Sequence, residues 1–329
     1  METVWGFPRD LHCGRSGGKD MRTIQRTSKF LTFNFPVALL LVLAGFAATC
    51  GAQSLGTFTP TGNMTTARSG HTATLRRDGR VLITGGGKPE NSAELYDPAT
   101  GTFTAIGDMT VARSGHTATL LHDGKVLLAG GAYGPPHPGT PVVFPNGTVF
   151  TPMVSDPLPN TELYDPSTRT FTRASDMVAI QSGHRATLLN NGKVLIAGGA
   201  NGYFAAANPE LYDPATGTFT ATGGYAATGP QNPYGRGEWG MVGAPNTLLP
   251  NGKVLIAGEP TAELYDPVTG TFSLTGAMTT RPYGATPSYL AGRTATLLTN
   301  GRVLLAGGTH EDLGHFDIAE LYDPLTGTF

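Results

Sequence analysis

Three histidines recur at matched positions in the chain, His71, His116 and His184, and arginines stand three residues before the first two, at Arg68 and Arg113. Three imidazoles brought to one point could hold a metal ion. Two later segments carry Ala244 and Arg293 at the histidine position. The Arg-x-Gly-His pattern therefore belongs to a repeat, which favours a tie between repeated units over metal binding. Glu94, Glu162, Glu210, Glu263 and Glu320 recur as regularly and take the same structural reading. A second set stands outside any repeated pattern: His137, Phe144, Tyr203, Phe204, Tyr225, Tyr234, Arg236, Glu238, Trp239, Arg281, Tyr283, Tyr289, His310, Glu311, Asp312 and His315. Rings give stiff, amphipathic contact area, so aromatics mixed with a few polar groups suit a carbohydrate or peptide surface. The competing reading is that many of them pack their own loops together. Glu238, Glu311 and Asp312 could act as acid and base, but nothing in the sequence positions them. There is no Gly-x-Ser-x-Gly elbow and no His-Glu-x-x-His. The sequence assigns no catalytic residue, cofactor or metal.

The elements that must carry these residues follow from self-similarity after residue 55. Each unit begins with a segment such as Ser114-Gly115-His116-Thr117-Ala118-Thr119-Leu120-Leu121, turns at Asp123-Gly124, and continues through Lys125-Val126-Leu127-Leu128-Ala129-Gly130-Gly131. Two apolar runs joined by Asp-Gly or Asn-Gly predict a hairpin, here with a type I′ turn. The turn recurs at Asp78-Gly79, Asn191-Gly192, Asn251-Gly252 and Asn300-Gly301. The second half of each unit, as in Ala93-Glu94-Leu95-Tyr96-Asp97-Pro98-Ala99-Thr100-Gly101-Thr102-Phe103, predicts another hairpin around an Asp-Pro turn. Two hairpins make a four-stranded antiparallel sheet with two apolar faces. Stacking five such sheets radially covers the faces and leaves only short edges.

With 46 Gly, 25 Pro and 14% charged residues, the composition is that of short strands and many turns. Residues 1–52 read as an N-terminal extension and export signal, with Met21 as the start. Arg22, Arg26 and Lys29 precede the apolar run Val37 to Ala48, and Cys50-Gly51-Ala52 offers small residues for cleavage. The run is short for a transmembrane helix. Membrane attachment follows only if the signal is an uncleaved anchor or Cys50 is lipidated. The expected address is secreted, cell-surface or periplasmic. Removing 1–52 leaves 16 Lys+Arg against 21 Asp+Glu, a net charge of −5. No basic stripe remains, which argues against nucleic acid. Cys13 and Cys50 both lie before the cleavage point, so the propeller, 53–329, has neither thiol nor disulfide.

The paired glycines Gly85-Gly86, Gly130-Gly131, Gly198-Gly199 and Gly307-Gly308 resemble the double glycine of the kelch-repeat propellers in the galactose oxidase/kelch-like superfamily. The tyrosines Tyr96, Tyr164, Tyr212, Tyr265 and Tyr322 resemble that family's third-strand tyrosine, and Phe103, Phe171, Phe219, Phe272 and Phe329 stand where its fourth-strand tryptophan is usual. The fourth unit departs, with Gly258-Glu259. The resemblance implies an all-β propeller of about five four-stranded blades of the secreted bacterial type. Either Gly56-Thr57-Phe58-Thr59, an extra copy of the fourth strand, completes the last blade, or the five blades are part of a ring of six or seven. The family's oxidases use a copper site with a tyrosine crosslinked to cysteine, which the cysteine-free mature chain could not make.

Alternation of strands places every tight Asp-Gly and Asp-Pro turn on one side of the disc and every variable loop on the other. Variable loops on a rigid scaffold commonly carry function. The expected binding residues on the loop-rich face are Tyr203, Tyr234, Arg236, Glu238, Trp239, Arg281, Tyr283 and His310. Arg68, His71, Arg113, His116, His184 and Arg293 are expected at the channel mouth. The expected role is recognition of a protein or carbohydrate; the alternative is a carbohydrate-active enzyme such as a lyase, epimerase or sialidase-like protein.

Overall fold

The computed structural model describes residues 58–329 apart from 87–90, 140, 144–148, 152, 182, 200–206, 227–242, 259–260, 279–289, 311–313 and 316. The chain divides into two compact units, Met1–Phe58 and Thr59–Phe329. The export signal expected in 1–52 lies outside the described residues. The second unit is a five-bladed, all-antiparallel β-propeller.

Blade one runs Thr72–Leu75, Val81–Thr84, Ala93–Asp97, Thr102–Ala105, hydrogen-bonded in chain order. Blade two is Thr117–Leu120, Val126–Ala129, Thr161–Asp165, Thr170–Arg173. Blade three is Arg185–Leu188, Val194–Ala197, Glu210–Asp213, Thr218–Ala221. Blade four is Asn246–Leu248, Val254–Ile256, Thr261–Asp266, Thr271–Ala277. Blade five has Thr294–Leu297, Val303–Ala306 and Ala319–Tyr322, followed by the bridge between Asp323 and Thr328. The register repeats from blade to blade, with one bulge between Thr261 and Glu263 in blade four. The valine opening each second strand faces the third-strand tyrosine, from Val81–Tyr96 to Val303–Tyr322. Beside each tyrosine lies the fourth-strand phenylalanine, with ring centroids 4.7–5.0 Å apart in all five blades.

The predicted type I′ turn is corrected. Among the described non-glycine residues only Arg169 has positive φ, so Asp78, Asp123 and their counterparts do not. Gly79 N–H donates to the Arg76 carbonyl and Arg76 N–H to the Arg80 carbonyl, a type I turn followed by one left-handed glycine. The reason is the aspartate itself. Outside the left-handed region its carboxylate accepts the N–H two residues on, as Asp78 does from Arg80 and Asp123 from Lys125; Asn191, Asn251 and Asn300 do the same.

The core lies between blades. Each of four apolar clusters joins one blade's trailing face to the next blade's leading face. The first, for example, sets Leu82, Ala93 and Leu95 against Val126, Leu128, Tyr164 and Phe171; the other three repeat it. First strands pack side by side from blade one through to blade five, whereas no comparable contact joins the first strand of blade five to that of blade one among the described residues. Phe329 occupies the place beside Tyr322 in the fifth blade; Gly56 and Thr57 of the N-terminal copy of the fourth strand lie outside the described residues.

Candidate functional site

The residues expected at the channel mouth are assembled from the entry to each first strand. In blade two, Glu162 accepts N–H bonds from Thr110 at 2.6 Å and Val111 at 3.1 Å, and the Arg113 guanidinium sits 2.7 Å away. Arg113 also donates to the carbonyls of Gly130 and Asn160. One buried pair therefore fixes the incoming segment to the second and third strands of its own blade. Blade one repeats the joint with Glu94, Thr65, Thr66 and Arg68. Burial alone would raise the Glu94 carboxyl, but the Thr65 N–H and Arg68 hold it below the ordinary carboxylate range. Blade three substitutes Gln181 for the arginine. Without a cation, burial prevails over the Ala179 and Val178 N–H bonds and Glu210 is pushed up.

The histidines point across blades. His116 Nε2 lies 3.0 Å from the Thr72 hydroxyl and 2.9 Å from that of Thr84, both in blade one. His184 Nε2 meets the Thr117 hydroxyl and the Ala129 carbonyl of blade two. Burial, together with the Arg113 charge, lowers His116 to about 3, and burial lowers His184 to about 4, so both are neutral hydrogen-bonding joints. The double glycines make room for this. A Cβ on Gly85 would meet the Arg113 carbonyl and the His116 ring, and one on Gly130 the His184 ring; a Cβ on Gly86 would instead meet its own blade's Ser69 and His71 backbone. His71 is exposed. Arg293 is buried, with one guanidinium nitrogen toward the Met278 sulfur.

The structure thus brings Arg68, Arg113, His116 and His184 into joints, each with a different partner. Their nitrogens do not converge on one point, and among the described residues no group of three or more His, Cys, Asp or Glu is arranged for a metal. These residues do not fit a copper centre. The serial signal missed in the sequence is the pairing of Arg68 with Glu94 and Arg113 with Glu162, visible there as two co-recurring positions; the threonine partners of the histidines gave no comparable signal.

Ion pairs join the two kinds of tight turn in every blade, from Arg80–Asp97 at 3.0 Å to Arg302–Asp323 at 3.0 Å, so both turns share one side. Among the described residues the connections after the second strand carry extra strands in blades two and five. In blade two Ala132–Pro138 pairs with Met153–Pro157 in a projecting hairpin, where His137 lies 3.1 Å from Asp156. In blade five Leu290–Ala291, Thr309–His310 and Gly314–His315 form a small sheet that joins two of the predicted loops. His310 contributes its backbone there. Tyr203, Tyr234, Arg236, Glu238, Trp239, Arg281 and Tyr283 lie outside the described residues. Tyr225 belongs to a core cluster, and its hydroxyl accepts the Gly198 N–H at 2.7 Å.

No family model matches the sequence, and no curated protein matches it. Solved structures do. A fungal alcohol oxidase of the AA5 family, in complex with copper, aligns with a TM-score of 0.50 at 18% identity over 83% of this chain. This chain spans 66% of that protein. A structure titled YjhT aligns with a TM-score of 0.50 at 16% identity, over 76% of this chain and 74% of the other. At such identities the likeness is one of fold.

Proposed function

We propose that this chain is an extracytoplasmic kelch-type scaffold that recognises a protein or carbohydrate through its loop-rich face. The observation that carries the reading is the use made of the recurring polar groups. Arg68, Arg113, His116 and His184, the residues best suited by type to chemistry, are held in buried joints within and between blades. What varies from blade to blade is the set of loops on one side. Tyr203, Tyr234, Arg236, Glu238, Trp239, Arg281, Tyr283 and His310 belong to those loops and offer aromatic contact area with a few charges. The export reading of residues 1–52 supports the location, and the net charge of the remainder argues for a partner other than nucleic acid.

A glycan array probed with the purified protein, followed by product analysis on each hit, tests this. Saturable binding that Trp239→Ala and Arg236→Ala weaken about tenfold or more, with no product formed, is the expected result. Turnover lost in Glu238→Gln would replace the scaffold with a carbohydrate-active enzyme.

A further inference from the structure

On the loop-rich side, blade three departs from the repeat at places that face water. The segment entering the first strand reads Thr65-Thr66-Ala67-Arg68 in blade one and Thr110-Val111-Ala112-Arg113 in blade two, but Val178-Ala179-Ile180-Gln181 in blade three. Glu210 pins this segment, accepting the N–H groups of Val178 and Ala179 at 2.6 and 2.9 Å and the Gln181 amide at 3.1 Å. With its backbone held in this way, the segment leaves Val178 and Ile180 in water, 64% and 50% exposed. Thr65 and Thr110 are exposed at the place of Val178, so the repeat itself keeps that place polar. The first strand departs as well. Thr72 and Thr117 open it in blades one and two and meet the incoming His116 and His184. Blade four brings Ala244 in place of that histidine, and blade three opens with Arg185. Arg185 is exposed, and its guanidinium has no hydrogen bond or ion pair among the described residues. The five recurring glutamates are buried, so none of them answers its charge.

We propose that Val178, Ile180 and Arg185 form a docking strip for an acidic, apolar peptide segment. This rests on reading the loop-rich face as a recognition surface, and it narrows the partner to a protein. Ile180 and Arg185 flank a stretch in which Gln181 and His184 are buried and bonded to Glu210 and to the Ala129 carbonyl of blade two. The two aliphatic side chains and the cation are thus presented from a fixed backbone. Charge complementarity sets the sign of the partner. The guanidinium offers paired donors to a carboxylate, and the aliphatic pair offers apolar area to a neighbouring Leu, Ile or Val of the same segment. None of the three side chains is a ring on which a sugar could stack, which favours a peptide over a glycan at this place.

An array of synthetic peptides, each with one Leu and one Glu at varied spacing in a Gly-Ser background, tests the strip on the purified protein. Companion peptides carry Gln for the Glu or Ser for the Leu. The wild type is expected to bind the best Leu-Glu peptides about tenfold more tightly than either companion. Arg185→Thr is expected to bind the Glu and Gln peptides alike, and the double variant Val178→Thr/Ile180→Ala to bind the Leu and Ser peptides alike. These changes install the residues of blades one and two, so unchanged melting temperatures are expected and separate lost docking from lost folding. A wild type with no preference for the Leu-Glu peptides would overturn the proposal. A preference that survives both variants but is lost in Trp239→Ala would refute the strip and keep the loop-rich face as the recognition surface. Silence of every peptide and every glycan would refute both.

Discussion

Arg169 holds φ of 60° at the end of the Asp-Pro turn of blade two, a place that Gly101, Gly217, Gly270 and Gly327 fill in the other blades at φ of 69–71°. A side chain there is strained, and Arg169 is exposed, so nothing repays the strain. Arg169→Gly is expected to stabilise by about 1 kcal/mol, read as a raised midpoint in urea. Gln181 presents the opposite case, a buried amide facing a carboxylate that blades one and two pair with arginine. Gln181→Arg is expected to add about 2 kcal/mol at neutral pH. The gain should fade in acid, because protonation of Glu210 removes its partner; a gain independent of pH would contradict the assigned pairing. The histidines set the acid limit. His116 and His184 stay neutral in the folded chain down to about 3 and about 4, whereas the unfolded chain binds their protons below the ordinary 6.5. Stability is therefore lost as pH falls from 6.5, at up to about 1.4 kcal/mol per pH unit for each histidine. Thermal melts of His116→Gln/His184→Gln should show a flatter profile between pH 6.5 and 4.

At the scale of the strand and turn, one position in the chain leading into each blade decides whether a buried tyrosine is satisfied. The hydroxyls of Thr61, Thr222 and Thr275 meet those of Tyr96, Tyr265 and Tyr322 at 2.7–3.1 Å. Blades two and three have Ile106 and Ala174 there, and the hydroxyls of Tyr164 and Tyr212 are buried with no hydrogen-bond partner. Tyr322→Phe is expected to cost about 1 kcal/mol, whereas Tyr212→Phe should cost nothing or stabilise; equal losses in calorimetry would refute the distinction. These elements were legible in the sequence because their signals are local. Asp-Gly, Asp-Pro and the alternating Val-Leu-Leu-Ala runs fix hairpins over a few residues, and their register recurs five times. The turn type was misread because Asn and Asp tolerate positive φ as well as accepting backbone N–H bonds, and only three-dimensional geometry shows which property is used. The direction of the Arg-x-Gly-His segment was half legible. Its repetition marked it as structural, but the split between an arginine bound within its blade and a histidine bound across blades depends on contacts distant in sequence.

At the scale of the whole molecule, blade count was legible and closure was not. A periodic sequence specifies each face by type, and types alone do not say whether the first leading face and the last trailing face meet. Among the described residues four apolar clusters lie between the five blades. The loop-rich face was located by alternation of strands, but the residues assigned to binding there follow no repeat, so no internal comparison could rank them. Stability in such a repeat array is a sum of blade and neighbour contributions, and blades one and five are the less buried, with Val81, Tyr96, Leu304 and Leu321 partly exposed where their counterparts are covered. Amide hydrogen exchange measures this directly. The second and third strands of blades two to four should be protected longest, and those of blades one and five should exchange sooner. Equal protection across all five blades would contradict a packing in which the inner blades are covered on both faces and Val81, Tyr96, Leu304 and Leu321 of the outer two are not.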